Sequence, residues 1–341
     1  MTVEAIHHAR RARALRRGWL LGALAALLIA LFWAAVMVGD TFYGPGIVWQ
    51  VLTGQDSGGA DFIVGKLRLP RATLGVLAGA AFGIAGVTFQ TMLRNPLASP
   101  DIIGIDAGAA TAAVAAIVVF SMSGAQVSIV ALVAALATAA AIYLLSIKSG
   151  FRGTRLILIG IGIAAFLNSI TAYLLSKAAQ WDLQAAMRWL TGSLNSASWD
   201  DVRPVAIAML VILPVLLIKS RDLGMLRMGD DAAAALGVRV NRSRIILIIG
   251  AVALLAFATA ACGPIAFVAF MAGPIAARIV GPGGSLIVPA ALVGAILVVA
   301  SDMLGQHAFE HRYPVGIVTG VLGAPFLLYL LVKTNRSGGS I

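Results

Sequence analysis

Apolar residues dominate this chain in stretches too long for the alternation of a half-buried strand and too unbroken for a one-sided helix. Runs of about 17–25 apolar residues, the length that crosses a hydrocarbon core, fall at 18–38, 72–92, 102–120, 126–147, 155–176, 203–219, 243–263, 264–280, 286–304 and 314–333. The pattern predicts an all-α polytopic membrane protein with about ten transmembrane helices. One transmembrane domain covers 18–333, between a basic tail over 1–17 and a short tail over 334–341. The seventh and eighth spans form one apolar stretch, interrupted only at Cys262-Gly263-Pro264 and Ala272-Gly273-Pro274. Proline removes a helical hydrogen bond, so a turn or a broken helix is expected there.

Composition agrees with lipid as the main solvent. Hydrophobic residues make up 60% of the 341 and charged residues 11%, with mean hydropathy +0.96, which excludes a soluble enzyme. The net charge of +11 does not point to nucleic acid, because Lys and Arg sit between apolar runs and form no stripe interleaved with aromatics. They orient the protein instead. An even number of spans puts both termini on one side, and a cytoplasmic assignment places 18 of the 25 basic residues inside and 7 outside, as the positive-inside rule requires. The first span reads as a retained helix rather than a signal peptide. Its apolar run, Trp19 to Val38, exceeds the usual h-region of about 7–15 residues, and Asp40-Thr41-Phe42-Tyr43 is a poor cleavage context. The single cysteine, Cys262, excludes a disulfide framework and reads as a small packing residue.

Charge is nearly absent inside the spans, where it is costly and hence usually functional. Asp106 and Asp302 fall within the limits, each about a turn from a span end and expected within reach of interfacial water, so a proton relay is poorly supported. In the second span Gly75, Gly79 and Gly83 recur at steps of four and place bare backbone on one face, which predicts close helix packing. The alternative is a ligand passing over that backbone. The fifth span gathers polar residues in Asn168-Ser169-Ile170-Thr171-Ala172-Tyr173. Buried amides and hydroxyls need partners, so this helix either faces a wet interior or bonds to a neighbour.

Two segments look catalytic and fail on inspection. His307-Ala308-Phe309-Glu310-His311 matches an H-x-x-E-H pattern, but Arg312-Tyr313-Pro314 disfavours a helix there and His7 and His8 lie across the membrane, so no protein metal site is expected. Gly65-Lys66-Leu67 lacks the Ser or Thr and the upstream glycine of a phosphate loop, so the chain is not expected to hydrolyse ATP by itself. More informative is Met228 to Gly237, in the inside loop over 220–242. Asp230 and Asp231 suit a helix N-terminus, four alanines favour helix, and glycine at 229 and 237 brackets it. This predicts a short capped helix of about 10 Å, too short to cross a membrane. It is either a connector or a grip for a partner.

Leu67-Arg68-Leu69-Pro70-Arg71, then Arg94-Asn95-Pro96-Leu97-Ala98-Ser99-Pro100-Asp101 with Gly104, are similar to the signature of the FecCD family of ABC-importer permeases. Trp189-Leu190-Thr191-Gly192-Ser193-Leu194, the Gly229-to-Gly237 segment, Gly263-Pro264-Ile265-Ala266-Phe267 and Pro314-Val315-Gly316-Ile317-Val318-Thr319 follow in family order, from about residue 67 to 330. Within the family the wording most resembles the ferric-enterobactin type.

The resemblance implies a vitamin B12-importer-type permease fold that imports a ferric siderophore of catecholate type by alternating access, with cobalamin or haem as the alternative cargo. It also implies the partners: a second permease subunit, a paralogue rather than an identical copy; two cytoplasmic ATPase subunits, which use the ATP and Mg; and a periplasmic or lipid-anchored siderophore-binding protein. No cofactor is expected in this chain. By position, Arg68 and Arg71 resemble the arginines that dock the binding protein. Gly229, Asp230, Asp231, Leu236 and Gly237 resemble the helix that couples to the ATPase, and Asn168, Ser169 and Thr171 resemble path residues. Gly273-Pro274 departs from the Pro-His of many members, and Gln306 stands near the place of a third docking arginine. Outside the family, the rival reading is an ion-gradient-driven secondary transporter.

Overall fold

The structure is a computed structural model that describes residues 3–55, 57–146, 153–281 and 283–336. Lys148, Arg152 and the tail beyond 336 lie outside the described residues. Eight helices are long and apolar enough to cross a membrane: α1 (Val3–Met37), α3 (Leu69–Met92, entered through a π-helical segment Asp61–Arg68), α6 (Ala125–Ser146), α7 (Gly153–Lys177), α9 (Trp199–Ile218), α12 (Val240–Cys262), α14 (Ile287–His307) and α15 (Val315–Arg336). Two shorter apolar helices, α5 (Ile105–Val118) and α13 (Val268–Val280), complete the ten apolar segments. Between them lie α2 (Pro45–Leu52), α4 (Pro100–Ile103), α8 (Gln180–Leu190), α10 (Ser220–Leu226) and α11 (Asp230–Ala235). α1 already runs from Val3, so the basic residues ahead of the first apolar run are helical.

The third and eighth spans are thus shorter than their apolar runs. At 14 and 13 residues, α5 and α13 reach about 20 Å, less than a hydrocarbon core. Gly104 adopts a left-handed φ of 92° and separates α4 from α5, where a Cβ would come 2.9 Å from the Gly160 carbonyl of α7. Phe267, at a φ of 63°, holds the turn between α12 and α13. The break expected at Pro274 does not occur: α13 runs through it. Proline leaves the carbonyl four residues earlier without its helical donor, and here that carbonyl, Phe270 O, accepts 3.0 Å from Nε2 of Gln90 on α3. A Cβ at residue 273 would collide with the Gln90 amide. Gly273 and Pro274 are therefore one device: glycine admits the amide that proline requires.

α3 is the central helix. Of its apolar window 83% is buried, against 11% for α1 and 17% for α7. A Cβ on Gly79 would lie 2.5 Å from the Gly294 carbonyl of α14, and one on Gly83 or Gly86 would strike the carbonyl of Ala290 or Ala269. With lipid tails as apolar as leucine, helices gain by van der Waals contact, and bare backbone brings them close. Gly86 belongs to this stripe as much as Gly79 and Gly83 do, while the atoms nearest to a Cβ on Gly75 are side-chain carbons of Leu194, Val299 and Val298.

Two faces follow from the loops. Arg17 donates to the carbonyls of Gly283 and Ser285, Arg278 stacks 4.8 Å above Tyr329, and Arg227 lines a pocket with Gly284 and Leu286. Arg17 of α1, the ends of α13 and α15, and the α10–α11 loop thus share one face, called the terminal face below. Gly39, Asp40, Arg68, Leu194 and Arg312 meet on the opposite face.

Candidate functional site

On the opposite face a cavity of about 510 Å³ brings Arg68 and Arg71 together with Gly75, Asp302, Gln306, His307 and Arg312. Neither predicted docking arginine projects freely. Arg68 donates to the carbonyls of Val36, Met37 and Thr41 at 3.2, 2.9 and 2.7 Å, so a cation satisfies the orphan acceptors at the C-terminal end of α1. Its guanidinium also lies 5.2 Å from the Tyr43 ring. Arg71 forms a two-pronged pair with Asp302, Nε and Nη2 each 2.8 Å from a carboxylate oxygen. Gln306 Nε2 adds a third donor at 2.7 Å.

Asp302 was expected within reach of interfacial water; it is instead buried, with a side chain 7% exposed, and compensated. A lone acid in a membrane is unfavourable unless paired; α3 and α14 supply the two halves of the pair from 231 residues apart. The sequence carried a weak signal, one intramembrane acid and one arginine at an opposite-face helix end, without saying that they meet. Arg312, itself exposed, pairs with Asp40 at 2.6 Å, and its hydrogen bond holds the exposed Asp40 carboxyl below the usual carboxylate range. The cation left exposed at this cavity without a hydrogen bond or ion pair among the described residues is Lys66. His307 ends α14, so His307 and His311 share no helix face, and no group of three metal-ligating side chains occurs among the described residues.

The polar stretch of α7 divides. Thr171 is buried, and its Oγ1 lies 2.9 Å from Thr111 Oγ1 on α5, so it ties two helices together. Asn168 and Ser169 are exposed, beside Phe166 and Tyr173; Ser169 bonds back to the Ala165 carbonyl at 2.9 Å. Asp106, the other intramembrane acid, is half-buried in the first turn of α5 and accepts a hydrogen bond of 3.0 Å from Thr259 on α12.

On the terminal face the short helix forms as α11, with Gly229 and Gly237 at φ of 109° and 86°. Its expected side-chain cap is absent. Asp230 is instead gripped by Arg244 of α12, at 2.7 and 2.8 Å from Nη2. The aspartate that looked like a cap is a strut that fixes α11 against a membrane helix. This leaves Asp231, Leu236 and Gly237 exposed, Leu236 at 58%. An exposed leucine at the tip of a rigidly strutted helix is a feature that a partner would cover. Behind it, Asp222 of α10 accepts from Lys219 at 2.8 Å and from Ser243 at 2.6 Å. These bonds, Lys219 first, hold its carboxyl below the usual range.

Comparison with known proteins is consistent with this geometry. The model of the FecCD transport family matches residues 27–333. The chain belongs to the FecCD transport family. It is 39% identical over 290 residues to the ferric enterobactin transport system permease protein FepG of Escherichia coli, covering 85% of this chain and 88% of the relative. It is 38% identical over 314 residues to the achromobactin transport system permease protein CbrC of Dickeya dadantii, covering 91% and 90%. A solved chain described as an inward-facing conformation of a metal-chelate type ABC transporter superposes with a TM-score of 0.82 at 26% identity, over 93% of this chain and 99% of that one.

Proposed function

We propose that this chain is the membrane permease subunit of an ATP-driven importer of a ferric siderophore of catecholate type. The observation that carries the reading is α11: a short helix on the terminal face, strutted by Asp230–Arg244 and presenting Leu236 outward. The match to the FecCD transport family over residues 27–333, and the 39% identity to a ferric enterobactin permease, argue against a gradient-driven carrier. The names of the permeases FepG and CbrC support a siderophore as cargo.

In this reading the terminal face is cytoplasmic, the membrane is the inner membrane, and two ATPase subunits, which bind the ATP and Mg, grip α11. A second permease subunit, a paralogue, covers the exposed face of α7, with Asn168 and Ser169 toward the path between them. The binding protein docks over the cavity of Arg68 and Arg71, with Lys66 as the exposed cation. Closure of the ATPase dimer and docking of the binding protein bias two conformations through unequal contacts at the two faces. Iron stays ligated by its chelator throughout, so the path needs no protein ligands.

The test is uptake of labelled iron as catecholate and hydroxamate chelates, beside labelled cobalamin and haem, in cells with and without the chain. Loss of catecholate uptake alone is expected. Loss of cobalamin or haem uptake instead overturns the cargo, and uptake that survives ATP depletion but not collapse of the ion gradient overturns the class.

A further inference from the structure

α3 ends in a Schellman motif: Asn95 N bonds Gln90 O at 3.0 Å and Arg94 N bonds Thr91 O at 3.3 Å. The residue at its centre must take a left-handed conformation, and glycine, or sometimes asparagine, usually fills it. Here it is Arg94, at a φ of 52°. An arginine held where its backbone is strained points to a use for its side chain. That side chain is exposed and reaches the start of α11: a Cβ on Gly229 would lie 3.6 Å from Arg94 Nη1. It does not pair with Asp230, which Arg244 already holds.

Arg94 lines a cavity of about 390 Å³ with Arg227, Thr91, Asn95, Pro274 and Leu286, and among the described residues no acidic one lines it. Arg227 is exposed as well. Among the described residues neither guanidinium makes a hydrogen bond or an ion pair, whereas Arg68, Arg71, Arg244 and Arg312 all do. Two unneutralised guanidinium groups converging on one pocket are a carboxylate receptor by charge and shape. The pocket opens beside α11, on the face that the ATPase covers under the reading above, on which this inference rests.

We propose that the Arg94–Arg227 pocket is a second contact with the ATPase subunit, receiving an acidic side chain of that subunit while its main cleft grips α11. The two contacts divide the work. α11 supplies apolar grip through Leu236; the pocket supplies register and electrostatic steering, which makes its contribution salt-sensitive.

The experiment measures the affinity of the purified ATPase subunit for the intact permease in lipid nanodiscs across a salt series. In the Arg94→Gln/Arg227→Gln variant, affinity at low salt falls by about tenfold and the gap closes at high salt. Arg94→Lys keeps the charge and restores most of the loss, which separates charge from damage to the turn. Leu236→Ala is the reference, expected to weaken binding at every salt concentration. If the double variant binds as wild type does while Leu236→Ala is impaired, the pocket is no ATPase contact and the proposal falls, with the α11 reading intact. If Leu236→Ala also binds normally, the underlying reading fails. Wild-type ATPase affinity in a double variant that loses binding to phosphatidylglycerol vesicles would overturn the proposal in favour of a lipid headgroup.

Discussion

α3 and α7 are nearly equal in length, at 24 and 25 residues, and both are apolar enough to span a membrane. Their surroundings are opposite. Helices α12, α13 and α14 pack around α3, which buries Gly79, Gly83 and Gly86 against carbonyl groups. α7 leaves Leu158, Ile161, Phe166 and Tyr173 exposed, and its Gly162 has open space around it. Hydropathy alone marks both as spans and cannot tell a core helix from a peripheral one. The distinction shows at the small residues: on α3 they bring carbonyl groups of neighbouring helices against the bare backbone, whereas Gly162 on α7 faces open space.

The sharpest way to break this comparison is a matched pair of substitutions. Gly83→Val drives a side chain into the Ala290 carbonyl and is expected to cost more than about 3 kcal/mol, enough to lose the folded permease. Gly162→Val should stay within about 0.5 kcal/mol in the isolated chain. Thermal unfolding of the two purified variants checks both, and equal effects would mean that α3 is not the core.

Next in size is Asp302→Asn, which leaves Arg71 half-buried without its counter-charge and should cost about 3 kcal/mol, read as a lower melting temperature. Gln90→Leu orphans the Phe270 carbonyl and should cost about 1–3 kcal/mol. Because Pro274→Ala restores the helical donor, a double-mutant cycle should show that the Gln90 change costs clearly less in the Pro274→Ala background. Strict additivity would refute the single device described for Gly273 and Pro274.

The smallest effect is at α10. The depressed Asp222 carboxyl contributes fully above its unfolded value near about 4 and loses its contribution as pH falls through the lower folded value. The stability gap between wild type and Asp222→Asn should therefore be constant from neutral pH to about 4 and shrink below it.

Much of this arrangement was legible in the residues. The number and order of apolar segments followed from hydropathy, the closeness of α3 to its neighbour from the glycine step, and α11 from its alanines and flanking glycines. What stayed hidden was pairing over long sequence distances. Nothing local says that Asp230 serves Arg244 rather than its own helix, that Asp302 meets Arg71, or that a glutamine on α3 supplies the bond that Pro274 removes from α13. Span lengths were misjudged at α5 and α13 for the same reason: the left-handed turns at Gly104 and Phe267 are set by close neighbours, while the apolar run continues through them. The α7 polar cluster stayed ambiguous because its residues split, Thr171 to a neighbouring helix and Asn168 and Ser169 to a surface.

The central claim is that α11 is where ATP hydrolysis drives this bundle, and it is tested most directly by measuring uptake and ATP hydrolysis together in proteoliposomes holding the full importer with Leu236→Ala. Leu236 is exposed, so the variant permease should melt as wild type does while substrate transported per ATP hydrolysed falls by at least about tenfold. Wild-type transport per ATP in a permease carrying that change would contradict the account.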